Sequence, residues 1–185
     1  MSAKKSIILG SLIWILLAVA ILASCGGDYM RSAKSLLQFS ELIEQGKLND
    51  ISLTIYFMNP FTSTRRPLSI DDLINFNSVN KIAINGNLLE EHINLFNKVS
   101  DAALISVEKV SYLNARIYYV FETEKKGKIF DVAMWGGYDD NSIFVNGLEV
   151  KENDIFYDLI MPFLPKDAVK ELEEYLGRNF DSEAF

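Results

Sequence analysis

Apolar and polar residues follow three rhythms along this chain. From Ile7 to Ala23 the run "IILGSLIWILLAVAILA" contains no charged side chain. From Tyr29 to Leu48 the apolar positions Met30, Ala33 and Leu37 and, offset by one, Leu36, Phe39 and Ile43 keep one face at three- and four-residue spacing. That spacing predicts an amphipathic helix, with Gly46 as its stop. From Ile51 the period drops to two: Ile51, Leu53, Ile55 and Phe57 alternate with Ser52, Thr54 and Tyr56, which predicts a half-buried strand.

The same reading extends to the C-terminal end. "NPFTSTRRPLSIDD" is a loop, since Pro60 and Pro67 cannot donate to a sheet ladder. A short helical turn follows around Ile70 to Phe76, then a brief strand in "KIAI". Asn87 is placed to cap a helix over "LLEEHINLFNKVS", with Leu89, Ile93, Phe96 and Val99 along one stripe. "ALISVEKV", "ARIYYVFETE" and "KIFDVAMW" predict a meander, and "KKGK" at Lys125 to Lys128 turns the chain between the last two. In the second of these, Ala115, Ile117, Tyr119 and Phe121 fall on one side, and Arg116, Tyr118 and Glu122 on the other. "SIFV" and "LEV" are joined by Asn146-Gly147, a hairpin signal. Two helices close the chain, "NDIFYDLIM" ending at Pro162 and "PKDAVKELEEYLG" between Pro165 and Gly177. The first is too apolar all round to be exposed, which places it across the sheet as core. The pattern predicts an α+β fold: a single antiparallel β-sheet of about five to six strands packed against helices.

The charge-free run of roughly 17 residues follows Lys4 and Lys5. That is the layout of a secretory leader, and it also approaches the ~20 residues of a spanning helix. A retained, uncleaved anchor therefore stands beside a cleaved leader, and either leaves Lys4 and Lys5 in the cytoplasm. A third reading makes Cys25 a small buried core residue. "LASC", Leu22 to Cys25, resembles the lipobox of bacterial lipoproteins, in which an aliphatic residue and two small residues precede a cysteine. The resemblance implies a diacylglyceryl group on Cys25 and cleavage between Ser24 and Cys25. It divides the chain into a signal peptide at 1–24, a lipidated cysteine and short tether at 25–28, and one extracytoplasmic α+β domain at 29–185. Two acyl chains make anchoring stable where one gives only reversible binding, so the expected location is the outer face of the cytoplasmic membrane.

"SIFVNGLEVKENDIFYDLIMPFLP", Ser142 to Pro165, resembles a stretch found in uncharacterised lipoproteins of Gram-positive, mainly Firmicute, bacteria. That family has no established activity, so the resemblance implies a setting and no catalytic residue.

Charge and side-chain inventory narrow the chemistry. Of 18 basic and 25 acidic residues, removal of the leader takes Lys4 and Lys5 and no acid, leaving a formal charge of −9. A nucleic-acid binder carries the opposite sign. The chain has one histidine, His92, in a helical pattern beside Leu88 and Leu95, which reads as a histidine at the core's edge. One histidine and one cysteine cannot build a zinc site. A serine triad would have to use His92 as its base, and the chain has no nucleophile-elbow pattern. The carboxylate pairs Asp139 with Asp140 and Glu90 with Glu91 read as solvated surface, and "GGYDDNS" reads as a loop without calcium-loop spacing. No phosphate-cradling glycine motif is present. The expectation is thus no catalytic residue, no metal and no cofactor. Arg65 and Arg66 on the long loop, with Trp135 and Tyr138, are the candidate partner-binding residues, and Tyr112 and Tyr118 read as further aromatic surface. These features predict a membrane-anchored, non-catalytic module that binds an envelope protein or peptide. The alternative is a carboxylate-dependent enzyme acting on cell-envelope material.

Overall fold

The computed structural model describes residues 29–99, 104, 105, 107, 112–135 and 142–177. The elements in chain order are α1 (29–44), β1 (Ile51–Phe57), α2 (Ile70–Ile74), β2 (Asn80–Ile84), α3 (Gly86–Glu90), α4 (Ile93–Phe96), β3 (Ala115–Thr123), β4 (Gly127–Trp135), β5 (Ile143–Val145), β6 (Leu148–Val150), α5 (Ile155–Asp158) and α6 (Lys166–Leu176). Single 3-10 turns lie at Leu48–Asp50 and Met161–Phe163. The strands form one antiparallel six-stranded sheet in the order β2-β1-β3-β4-β5-β6. This is the expected α+β architecture.

Most helices pack on one face of that sheet. Leu36, Phe39 and Ile43 of α1 lie at the spacing of a helical stripe and are all buried against it, with Ala33 packed beside them. Met30 and Leu37, expected on the same face, are exposed, because at about 100° per residue they fall on the far side of the helix. Phe39 is the centre of this layer, with its ring 4.8 Å from Phe121, 5.1 Å from Phe130 and 6.0 Å from Phe96. These tilted and edge-to-face arrangements each add about 0.5–1.5 kcal/mol to the area buried. The C-terminal segment crosses the same face: Phe156, Tyr157, Leu159, Ile160 and Met161 are buried. Tyr119 donates its hydroxyl to the Phe156 carbonyl at 2.9 Å. The segment is not the single helix its apolar run predicts. α5 spans one turn, and the chain then tightens into a 3-10 turn around Pro162, which has no N–H for a continuing ladder.

The other face is smaller and also covered. Met58 and Leu68 of the loop after β1, with Leu73 of α2, bury Tyr118, Val120, Ala133 and Phe144. β3 is therefore buried on both sides, and a register shift between Ala115 and Ile117 changes its alternation. Ala115 packs in this second cluster, apart from Ile117, with which the simple period of two had grouped it. Tyr118 is a correction of the same kind. It is buried, not surface, and donates its hydroxyl to Asp131 Oδ2 at 3.0 Å.

Two further expectations are revised. The helix over 88–100 is two short helices, α3 and α4, separated at Glu91 and His92. Its cap is Asn85, whose side chain accepts from Leu88 N, and not Asn87. The interruption lets Leu95 and Phe96 enter the core while Ile93 turns outward. The strand predicted in "ALISVEKV" lies largely outside the described residues; within it Ile105 accepts from Lys151 N at 2.6 Å. The Asn146-Gly147 hairpin is as read, with φ of 50° and 82°, and Asn146 Oδ1 accepts from Asp131 N at 3.1 Å.

Gly86 is required by close approach. A Cβ there would run into Leu48 O and Asn49 Cα, both backbone, so neither can swing aside. Gly86→Ala should destabilise the fold by about 1–3 kcal/mol, the cost of overpacking, read from the midpoint of urea unfolding. An unchanged midpoint would show that α3 docks less tightly on the 3-10 turn.

Candidate functional site

The loop at 58–69 is held to the end of the sheet by backbone bonds at both ends. Met58 N donates to Arg116 O at 2.9 Å, and Ala115 N donates to Leu68 O at 2.8 Å. Between them, Asn59 closes a tight turn by accepting from Phe61 N at 2.8 Å. Phe61 then meets Tyr175 of α6 edge-on, with ring centres 5.2 Å apart. On the far side Ser69 and Asp72 form a capping box for α2, and Arg66 Nη2 reaches Asp72 Oδ1 at 2.8 Å.

Arg116 supports the loop from within. Its side chain is only 6 % exposed. Nη1 donates to Asn114 Oδ1 at 2.7 Å and to Ala115 O at 3.1 Å, and Nη2 donates to Thr64 Oγ1 at 3.1 Å. Thr64 Oγ1 in turn donates to Arg66 O at 2.9 Å, and Asn114 Oδ1 also accepts from Leu68 N at 3.0 Å. The acceptors around Arg116 are neutral oxygens, and its Nε is buried without an acceptor. Burial lowers the guanidinium's pKa from its ordinary value, while the field of Tyr175 opposes that shift. The group stays charged, because arginine titrates far above neutrality. Beside it is a cavity of about 20 Å³, room for a single water, walled by Phe57, Met58, Pro60, Leu172 and Leu176.

The arrangement gathers three of the four expected binding positions at one end of the sheet. Arg65 and Arg66 stand exposed on the loop, above a shallow basin of about 610 Å³ that also includes Asp71, Asp72 and Asn75. The backbone of Trp135 closes β4 opposite Ala115. Tyr138 lies outside the described residues, as do Ser24, Cys25, Asp139 and Asp140. Tyr112 is 87 % exposed, as expected for surface. Arg116 and its partners Thr64 and Asn114 were missed as a site. The signal for them was an arginine at the start of a strand whose next five residues are apolar or aromatic.

Elsewhere the polar groups are structurally engaged. His92 packs edge-on against Phe163, with ring centres 5.1 Å apart. Glu90 accepts from Asn49 Nδ2 at 2.8 Å, which ties α3 to the 3-10 turn before β1. Asp131 accepts from Tyr118 and, at 2.9 Å, from Lys128 Nζ. Burial first, and then the Asp131 carboxylate, push the Tyr118 phenol above its ordinary range, so it is a poor proton donor or base near neutrality. Among the described residues no group of three histidine, cysteine, aspartate or glutamate side chains is placed to hold a metal ion. Among the same residues no helix is long and apolar enough to cross a membrane. Comparison with protein-family models, with curated proteins and with solved structures gave no match.

Two outcomes test this geometry. Replacing Arg116 by Met removes the charge-assisted bonds under the loop, each worth about 1.5–3 kcal/mol. The rate of tryptic cleavage after Arg65 should therefore rise at least about tenfold; an unchanged rate would mean that the loop is held by its backbone bonds alone. The Asp72 carboxyl is held below its ordinary value first by the Ser69 hydroxyl and then by Ser69 N–H; burial opposes them, and the Arg66 charge adds the smallest lowering effect. A depressed carboxylate stabilises the fold above the ordinary aspartate pKa, and that contribution is lost as pH falls through the depressed value. Ser69→Ala should move the Asp72 titration upward, read by carbon NMR of the carboxyl.

Proposed function

We propose that this chain is a lipid-anchored, non-catalytic lipoprotein on the outer face of the cytoplasmic membrane, and that it binds an envelope protein or peptide through the arginine end of its sheet. The Leu22-Ala-Ser-Cys25 pattern at the end of the charge-free run supports the anchor. The observation that carries the binding reading is the convergence on one sheet end of exposed Arg65 and Arg66, the Arg116-supported loop beneath them and the last residue of β4. Arg65, exposed on an otherwise acidic chain, suits a partner with an acidic surface, and Arg66, exposed beside it, would exchange its Asp72 contact for the partner's carboxylate. Arginine is favoured at such contacts because its fork matches a carboxylate in two places.

The geometry around the titratable groups gives the enzymatic alternative less support. Glu90 and Asp131 are both engaged in hydrogen bonds, and the cavity nearest Arg116 has room for only one water. The basin beside Arg65 and Arg66 is large enough for a substrate, but it is shallow, and its Asp72 is taken up by the capping box and Arg66.

Two experiments separate the parts of this reading. Cys25→Ser should accumulate as an unprocessed precursor, whereas a normally matured product would refute the lipid anchor. The intact lipoprotein, crosslinked in its own membranes, should retain an envelope protein that the double variant Arg65→Glu, Arg66→Glu releases. Equal retention by both forms, or no reproducible enrichment, would refute the arginine end as the binding surface.

A further inference from the structure

The outer side of α1 has a composition that its role in the core does not require. Met30 is 67 % exposed and Leu37 52 %, with Tyr29 also exposed at the helix start. Met30, Lys34 and Leu37 lie at i, i+4 and i+7, one stripe of the helix, and Lys34 is exposed between the two apolar side chains. This stripe is opposite the one that delivers Leu36, Phe39 and Ile43 to the sheet. Charge is also sorted along the helix. From Tyr29 to Ser40 the only charged residues are Arg31 and Lys34, and acids begin at Glu41, followed by Glu44. Between Asp28 and Glu41 the helix therefore carries a local positive charge on a chain whose net charge is −7. The other exposed large apolar residues, such as Phe61, Leu88 and Tyr112, are scattered over separate elements.

We propose that the outer face of α1, formed by Met30, Lys34 and Leu37, lies against the anionic surface of the bilayer that holds Cys25, and so fixes the orientation of the domain. The inference rests on the lipid-anchor reading. Its independent support is the placement and chemistry of this one helix face. Only residues 26–28 separate Cys25 from α1, a reach of at most about 14 Å when fully extended. The helix start therefore cannot leave the neighbourhood of the lipid headgroups. Apolar side chains interleaved with lysine and arginine are the composition of helices that lie in a membrane interface. Basic side chains gain further from anionic headgroups within a Debye length. A short tether makes the contact intramolecular, with an effective concentration on the order of millimolar, so a contact too weak to recruit a free protein is enough to orient a tethered one. Over its length of about 24 Å the helix passes from basic to acidic, so the Glu41–Glu44 end lifts away from the headgroups. The opposite face of the sheet, with α2, then points outward.

The test uses the full-length lipoprotein in phosphatidylcholine–phosphatidylglycerol vesicles. Cys25 is the chain's one cysteine, so once it is acylated an introduced cysteine is the sole free thiol. An environment-sensitive fluorophore on Leu37→Cys should show blue-shifted emission and lose signal to doxyl-labelled lipids. The same probe on Asn77→Cys, just beyond α2 on the other face, should report water and resist quenching. Adding Lys34→Glu to the Leu37→Cys protein should reduce its quenching. Water-like emission at position 37 in protein whose Cys25 is shown by mass spectrometry to be acylated would overturn the proposal. Quenching unaffected by Lys34→Glu would overturn the part assigned to charge. Labelling at Cys25 itself would be a separate result: it would refute the lipid anchor and this inference with it.

Discussion

The insertion of Phe39 among Phe96, Phe121 and Phe130 is the contact on which the rest of the molecule depends. Phe121 and Phe130 stack at 4.8 Å across the β3–β4 pair, and Phe39 closes over them from α1. Truncating a buried phenylalanine of this kind costs about 3–5 kcal/mol, a large part of the stability of a small domain. The same contact fixes the direction of α1, because Ser32 in its first turns donates to Val145 O at 3.1 Å and Ser40 in its last turns donates to Val99 O at 3.2 Å. The helix is thereby attached to β5 at one end and to the segment after α4 at the other.

With that layer in place, β3 has no free face. The second side of the sheet is closed by the loop at 58–69 and by α2, and this forces Arg116 under cover. A guanidinium enclosed by neutral oxygens is electrostatically expensive compared with an apolar residue of the same length. It ties the 58–69 loop to the start of β3 and the residues just before it through Thr64, Asn114 and Ala115, and so holds two further arginines at the surface. Local stability and surface charge are therefore linked at this end of the sheet.

The fold was largely legible in the residues. Period-two alternation located β1, and the Asn146-Gly147 dipeptide located the β5–β6 turn, because in both places local sterics and a half-buried surface act together. The stripe of α1 was readable only in part: Leu36, Phe39 and Ile43 are buried as the spacing predicts, whereas Met30 and Leu37, grouped with them by the same apolar pattern, face outward. What could not be read was two-sided burial. Tyr118 and Arg116 look like the polar face of a strand until a distant loop folds over them, and nothing in the local period records that covering. The bulge at Ala115 likewise depends on pairing with Trp135 and not on the composition of β3 itself. The site was legible only as its exposed half, Arg65 and Arg66. Its buried half emerges from contacts 52 residues apart, such as Arg116 with Thr64.

The two margins of the sheet have a consequence for crowding. An open strand margin invites copies of a chain to stack edge on edge. Here β2 offers only five residues, with Asn80 and Lys81 turned to solvent, and Lys81 sits over the Tyr56 ring at 5.3 Å. At the other margin β6 has three residues, and just beyond it Lys151 N is already taken by Ile105 O. Short, charged or occupied borders of this kind let many molecules crowd together without growing into a continuous ribbon.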